Sequence, residues 1–105
     1  MEDKKFTLKV IFSKEGEMVY FSQLDLVKVF GRALRRTNLP LFYTQGFSPH
    51  VRLSFGRALK LGVEGKEEVT CYFSKEITLQ ELLVKLSTQL PQGLKIIEKI
   101  GRAHV

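Results

Sequence analysis

Ser22 to Thr37 reads SQLDLVKVFGRALRRT, and this stretch sets the architecture of everything around it. On a helix of about 100° per residue, Leu26, Val27, Val29, Phe30, Ala33 and Leu34 gather on one side. Lys28, Arg32, Arg35 and Arg36 fall within a narrow arc opposite. Ser22 stands where a capping hydroxyl belongs, with Asp25 three residues on and acidic in the first turn. The spacing predicts a helix from about Gln23 to Thr37 with an apolar face and a uniformly basic one. Asn38 to Pro40 ends it, because the residue before a proline is pushed toward extended geometry.

Toward the N-terminus, Phe6, Leu8, Val10 and Phe12 alternate with Thr7, Lys9 and Ile11, the period of a strand with one core face. A turn at Lys14 to Glu17 separates that strand from the helix. Beyond the helix come a short extended piece, Leu41 to Thr44, and a tight loop, Gln45-Gly46-Phe47-Ser48-Pro49-His50. Val51, Leu53 and Phe55 then alternate with Arg52 and Ser54 as a second strand. Its phase shifts at Gly56, a bend or bulge, after which Leu59, Leu61 and Val63 continue the alternation. Glu64 to Glu67 is read as a hairpin turn and Val69, Cys71 and Phe73 as the returning strand. Thr78 and Glu81 have the spacing of a capping box before a helix whose buried stripe is Leu79, Leu82, Leu83, Leu86 and Leu90. Pro91 to Gly93 stops that helix, Leu94 to Ile100 is a last strand, and Gly101 to Val105 is read as a frayed tail.

The order strand, helix, strand, strand, helix, strand predicts an α+β ferredoxin-like domain, βαββαβ, spanning residues 1–105. Its antiparallel four-stranded sheet carries both helices on one face and leaves the other partly open. This architecture serves many activities, so it does not decide the function.

Composition narrows the field. The formal net charge of +6 is local: from Leu26 to Val63 there is no Asp or Glu, while that segment holds Lys28, Arg32, Arg35, Arg36, Arg52, Arg57 and Lys60. A local basic field points to an anionic partner more strongly than a high isoelectric point does. Lys28, Arg32 and Arg36 are like charges four residues apart, a mild cost to the isolated helix with no structural return. The single cysteine, Cys71, has no partner for a disulfide or a metal cluster and is expected buried in its strand. No metal or cofactor is expected. The start, MEDKK, lacks the apolar segment of a signal peptide and no apolar run is long enough to span a bilayer, so the expected location is cytoplasmic.

The candidate nucleic-acid-binding residues are Lys28, Arg32, Arg35, Arg36, His50, Arg52, Arg57 and Lys60. Arginine suits bidentate phosphate contacts and lysine point-charge ones, so helix and strand together are expected to form one electrostatic track. His50 has two competing readings, a phosphate contact or a loop residue that fixes the turn by hydrogen bonding; a catalytic role would enlist Ser48, Ser54 or Tyr43. Tyr43, Phe47 and Tyr72 are the aromatic residues a base could stack on, although Phe47 is expected in the core and Tyr72 on a strand surface.

At Phe21 to Arg36, FSQLDLVKVFGRALRR, then Leu39-Pro40 and Tyr43 to His50, YTQGFSPH, the chain resembles an uncharacterised bacterial domain. That domain is fused to, or encoded beside, radical SAM proteins of the B12-binding type, and is sometimes linked with ribonuclease E/G-type proteins. Leu53-Ser54-Phe55 and Gly62-Val63-Glu64-Gly65 extend the resemblance over most of the chain. It implies an RNA-linked or translation-linked context. The chain lacks the Cys-x-x-x-Cys-x-x-Cys ligands of a radical SAM enzyme and is not one. The expected function is a non-catalytic RNA-binding accessory module acting with a radical SAM or RNA-processing partner. The alternatives are a protein-interaction domain docking the radical SAM partner, or a metal-independent ribonuclease using His50.

Overall fold

The computed structural model describes residues 5–56 and 66–102, with the side chains of 98–102 left aside. The strand expected at Leu59 to Val63, and with it Arg57 and Lys60, lies outside the described residues, as does the Glu64-Gly65 part of the expected turn. Strands β1 (Phe6–Lys14), β2 (Leu53–Phe55), β3 (Lys66–Phe73) and β4 (Leu94–Arg102) form one sheet in the order β2-β3-β1-β4. Every pairing in it is antiparallel. Helices α1 (Gln23–Arg35) and α2 (Leu79–Ser87) complete a ferredoxin-like α+β fold, as the order of elements predicts.

Alternation along β1 delivers Leu8, Val10 and Phe12 to the core, where they meet Val69, Cys71 and Phe73 of β3. Leu26, Phe30, Ala33 and Leu34 of α1 and Leu82 and Leu86 of α2 close over the same sheet face. The rings of Phe12, Phe30 and Phe55 pack edge to face with centroids 4.8, 6.1 and 5.8 Å apart, joining β1, α1 and β2 at one point. Cys71 is fully buried in β3, as expected, and burial pushes its thiol up to about 12.

Local chemistry places the helices. Ser22 Oγ accepts from the Asp25 N–H at 3.2 Å, and the Ser22 N–H donates to Asp25 Oδ2 at 3.0 Å, a complete capping box. The Ser22 N–H and then the Ser22 hydroxyl, which donates to Asp25 Oδ2 at 3.0 Å, hold the Asp25 carboxyl below its ordinary value; desolvation opposes them and the charge of Lys28 assists. At α2, Thr78 Oγ1 accepts from the Glu81 N–H at 3.0 Å, while the Glu81 carboxylate lies 3.9 Å from Lys85 Nζ one turn on. Asn38, at φ 64°, turns the chain out of α1, and Thr37 Oγ1 donates to the Leu34 carbonyl at 2.6 Å.

Three segments depart from the sequence reading. A 3₁₀ turn, Gly16–Tyr20, follows β1, and the Glu15 N–H donates to the Gly93 carbonyl at 2.8 Å, tying the two corners of the sheet together. β4 continues to Arg102, past the point where a frayed tail is expected, because β1 offers it partners: Lys9 faces Gly101 and Leu8 faces Arg102. β2 is short because Val51 and Arg52 turn from β3 to pair with Tyr43 and Phe42. Leu41 and Phe42 take the vacated edge, Leu41 bridging Phe73 and the Phe42 N–H donating to the Tyr72 carbonyl at 3.1 Å. Gly56 follows β2 directly beneath the Glu68 side chain, whose Cγ would lie 2.7 Å from an added Cβ. A larger residue there would have to displace the Glu68 side chain.

Candidate functional site

Residues 28, 31, 32 and 35 stand three and four apart, so α1 carries them as one stripe. Across from that stripe runs the strand after the Gln45 to Pro49 loop, and the two enclose a groove of about 200 Å³. It is lined by Val27, Lys28, Gly31, Arg32 and Arg35 of α1 and by His50 and Val51. Gly31 forms part of its wall, where a β-carbon would meet no atom within 4 Å. Val51 is buried, which anchors the exposed His50 beside the helix.

Lys28, Arg32 and Arg35 are exposed, and none forms a salt bridge among the described residues. The nearest carboxylate in sequence, Asp25, is engaged by Ser22 at the helix cap and feels Lys28 only as a weak additional charge. Among the described residues the groove is thus lined by cations, one histidine and small or apolar side chains, with no carboxylate.

The hairpin that supplies His50 is pinned at its base. The Thr44 N–H donates to the His50 carbonyl at 2.7 Å, the His50 N–H donates to Thr44 Oγ1 at 3.0 Å, and Tyr43 bridges Val51. The His50 backbone therefore fixes the turn, and its imidazole is left to line the groove. Gly46 sits at φ 133°, a conformation that favours glycine, and Phe47 beyond it is fully exposed. The expectation that Phe47 belongs to the core is overturned: the loop tip stands clear of both helices and sheet, and its ring has nothing to pack on.

Among the described residues, the predicted basic side chains do not form one track. Lys28, Arg32, Arg35 and His50 converge on the groove. Arg36 is the C-cap of α1, exposed but outside the lining. Arg52 points to the other side of the sheet, where its guanidinium lies 4.9 Å over the Tyr72 ring and its buried Nε has no hydrogen-bond partner among the described residues. Tyr72 is half-buried there, and its hydroxyl lies 3.1 Å from Ser54 Oγ. Ser54 is thereby separated from His50 by the thickness of the sheet and is not its companion.

Several cations of the free sheet face are paired within the fold. Lys9 Nζ lies 3.5 Å from Glu68 Oε1, and Lys5 Nζ sits 5.6 Å over the Phe42 ring. On the opposite rim Lys14 Nζ reaches Glu67 Oε2 at 2.8 Å. A larger hollow of about 400 Å³ between the 3₁₀ turn and the α2–β4 turn was not foreseen from sequence. Glu15, Gly16, Glu17, Met18, Gln92 and Gly93 line it, a set with no nucleophile and no base stronger than a carboxylate. Among the described residues no group of three or more His, Cys, Asp or Glu could hold a metal ion, and no helix is long and apolar enough to cross a membrane.

The groove residues missed by sequence reasoning are Val27, Gly31 and Val51. Only Gly31 carried a signal, as an isolated glycine inside a helical pattern between Lys28 and Arg32. A family model described as an uncharacterized protein conserved in bacteria matches residues 7–101, from β1 into the end of β4. No curated protein and no solved structure matches the chain.

Proposed function

We propose that this chain, which belongs to the DUF2344 family of uncharacterized proteins conserved in bacteria, is a non-catalytic RNA-binding module that acts with a radical SAM or RNA-processing partner. The observation that carries the reading is the groove in which Lys28, Arg32 and Arg35 converge with His50 while lacking salt-bridge partners among the described residues. Like charges on one helical stripe destabilise the free protein slightly, and an anionic ligand reverses the sign of that term. Arg32 and Arg35 supply planar forks for phosphate oxygens, Lys28 a point charge, and His50 a ring N–H donor. The choice of RNA as the anion, and of the partner, follows the resemblance to radical-SAM-associated domains.

The test is fluorescence anisotropy of labelled RNA titrated with nuclease-treated protein over a series of salt concentrations. Replacing both Arg32 and Arg35 by Gln should weaken binding on the order of tenfold and flatten the log–log salt slope by about 1.4, two contacts at about 0.7 each for a single strand. Wild-type affinity and slope in the double variant would remove the reading. If wild type binds no RNA but retains an acidic partner protein after nuclease treatment, and the double variant does not, the groove is a protein-docking surface instead.

A further inference from the structure

Phe47 lies three residues from His50, within about 10 Å along the chain of a side chain that lines the cationic groove. Its ring is fully exposed, at the tip of a hairpin held at its base by the Thr44 and His50 hydrogen bonds. Folding gains nothing from a phenyl ring left in water, and the pinned base means the ring does not reach its place by collapsing onto a core. Tyr43, bridged to Val51 of the groove wall, exposes a second aromatic ring on the same hairpin.

We infer that Phe47 is a stacking finger, and that the ligand of the adjoining groove is single-stranded RNA with unpaired bases rather than a duplex. This inference rests on the RNA-binding reading of the groove. A phenyl ring has no hydrogen-bonding group, so it reads no base edge; what it offers a nucleic acid is a flat apolar surface, which any unpaired base can cover. In a duplex the base faces are already stacked on one another, and a lone aromatic tip meets only sugar and phosphate. Cations beside an exposed aromatic are the combination that holds a strand by its backbone while one base is taken out of water. The selectivity is for strandedness and carries little sequence preference.

The experiment compares the full chain with Phe47→Ala, Phe47→Trp and Phe47→Leu on a single-stranded RNA of about 12 nucleotides and on the same strand annealed to its complement. Because the ring packs on nothing, all the variants should keep the wild-type melting temperature. The inference expects wild type to prefer the single strand, Phe47→Ala to lose about tenfold on it with the salt slope and duplex affinity unchanged, and Phe47→Trp to restore binding where Phe47→Leu does not. Wild-type affinity of Phe47→Ala for the single strand, with Arg32 and Arg35 variants weakened, would overturn the stacking finger and leave the groove standing. Restoration by Phe47→Leu would overturn it too, as the mark of a merely apolar contact. Failure of wild type to bind either RNA would remove the groove reading itself, and this inference with it.

Discussion

Two groups of cations, one on the free face of the sheet and one along α1, are of the same kinds and are used in opposite ways. On the free face, Arg52 lies over Tyr72, Lys5 over Phe42 and Lys9 against Glu68, so each of these three positive charges has a ring or a carboxylate within the fold. Along α1, Lys28, Arg32 and Arg35 face a groove with no carboxylate among its described lining residues. A charge satisfied inside the protein contributes to stability, and one left to solvent is available to a ligand. Counting basic residues along the chain merges these two populations, and only the geometry separates them.

The comparison breaks most sharply at Tyr72. Tyr72→Ala removes the surface under Arg52 and the hydroxyl facing Ser54 and should cost about 2–3 kcal/mol in denaturant unfolding. The Arg32 and Arg35 replacements, expected to weaken binding, should shift stability by no more than about 0.5 kcal/mol. If Tyr72→Ala instead weakened RNA binding without unfolding the chain, the free face would be a ligand surface and the contrast would fail.

Arg52→Ala is the next test. It should lower stability by about 1 kcal/mol, the scale of a half-buried cation–aromatic contact, while leaving the salt slope of RNA binding unchanged. A slope reduced as much as in a groove variant would return Arg52 to the ligand track.

The smallest effect concerns pH. The Asp25 carboxyl is held below its ordinary value in the fold, so its contribution is present above the unfolded carboxylate range and is lost as pH falls through the folded value. Stability followed by circular dichroism should therefore decline shallowly below about pH 4, and Asp25→Asn should flatten that part of the curve. An unchanged acid limb in Asp25→Asn would show that the capping bonds do not favour the charged form.

What could be read from the chain followed interaction range. The apolar stripe of α1, the Ser22 cap and the inward phase of β1 and β3 depend on neighbours within a few residues, and each stands where the sequence places it. The shortening of β2 was not legible, because it depends on Leu41 and Phe42 competing for the edge of β3, a contact between segments far apart in sequence. Phe47 was misread because hydrophobicity favours burial but does not say which way a loop tip leads. Arg52 is the instructive case. The alternation that turns Val51, Leu53 and Phe55 inward already turns Arg52 away from the helices, but the run of positive charge from Leu26 to Val63 obscured that phase.

β1, near the N-terminus, is an inner strand of the sheet, with β3 on one side and β4 on the other. A ribosome therefore delivers β1 long before the segment that covers its second edge. Until residues 94–102 have been made, β1 can have only one neighbour, and its other row of amides and carbonyls stays exposed on the growing chain. Any loss at the β4 end, by premature termination or by proteolysis, would leave that edge open for another strand to join.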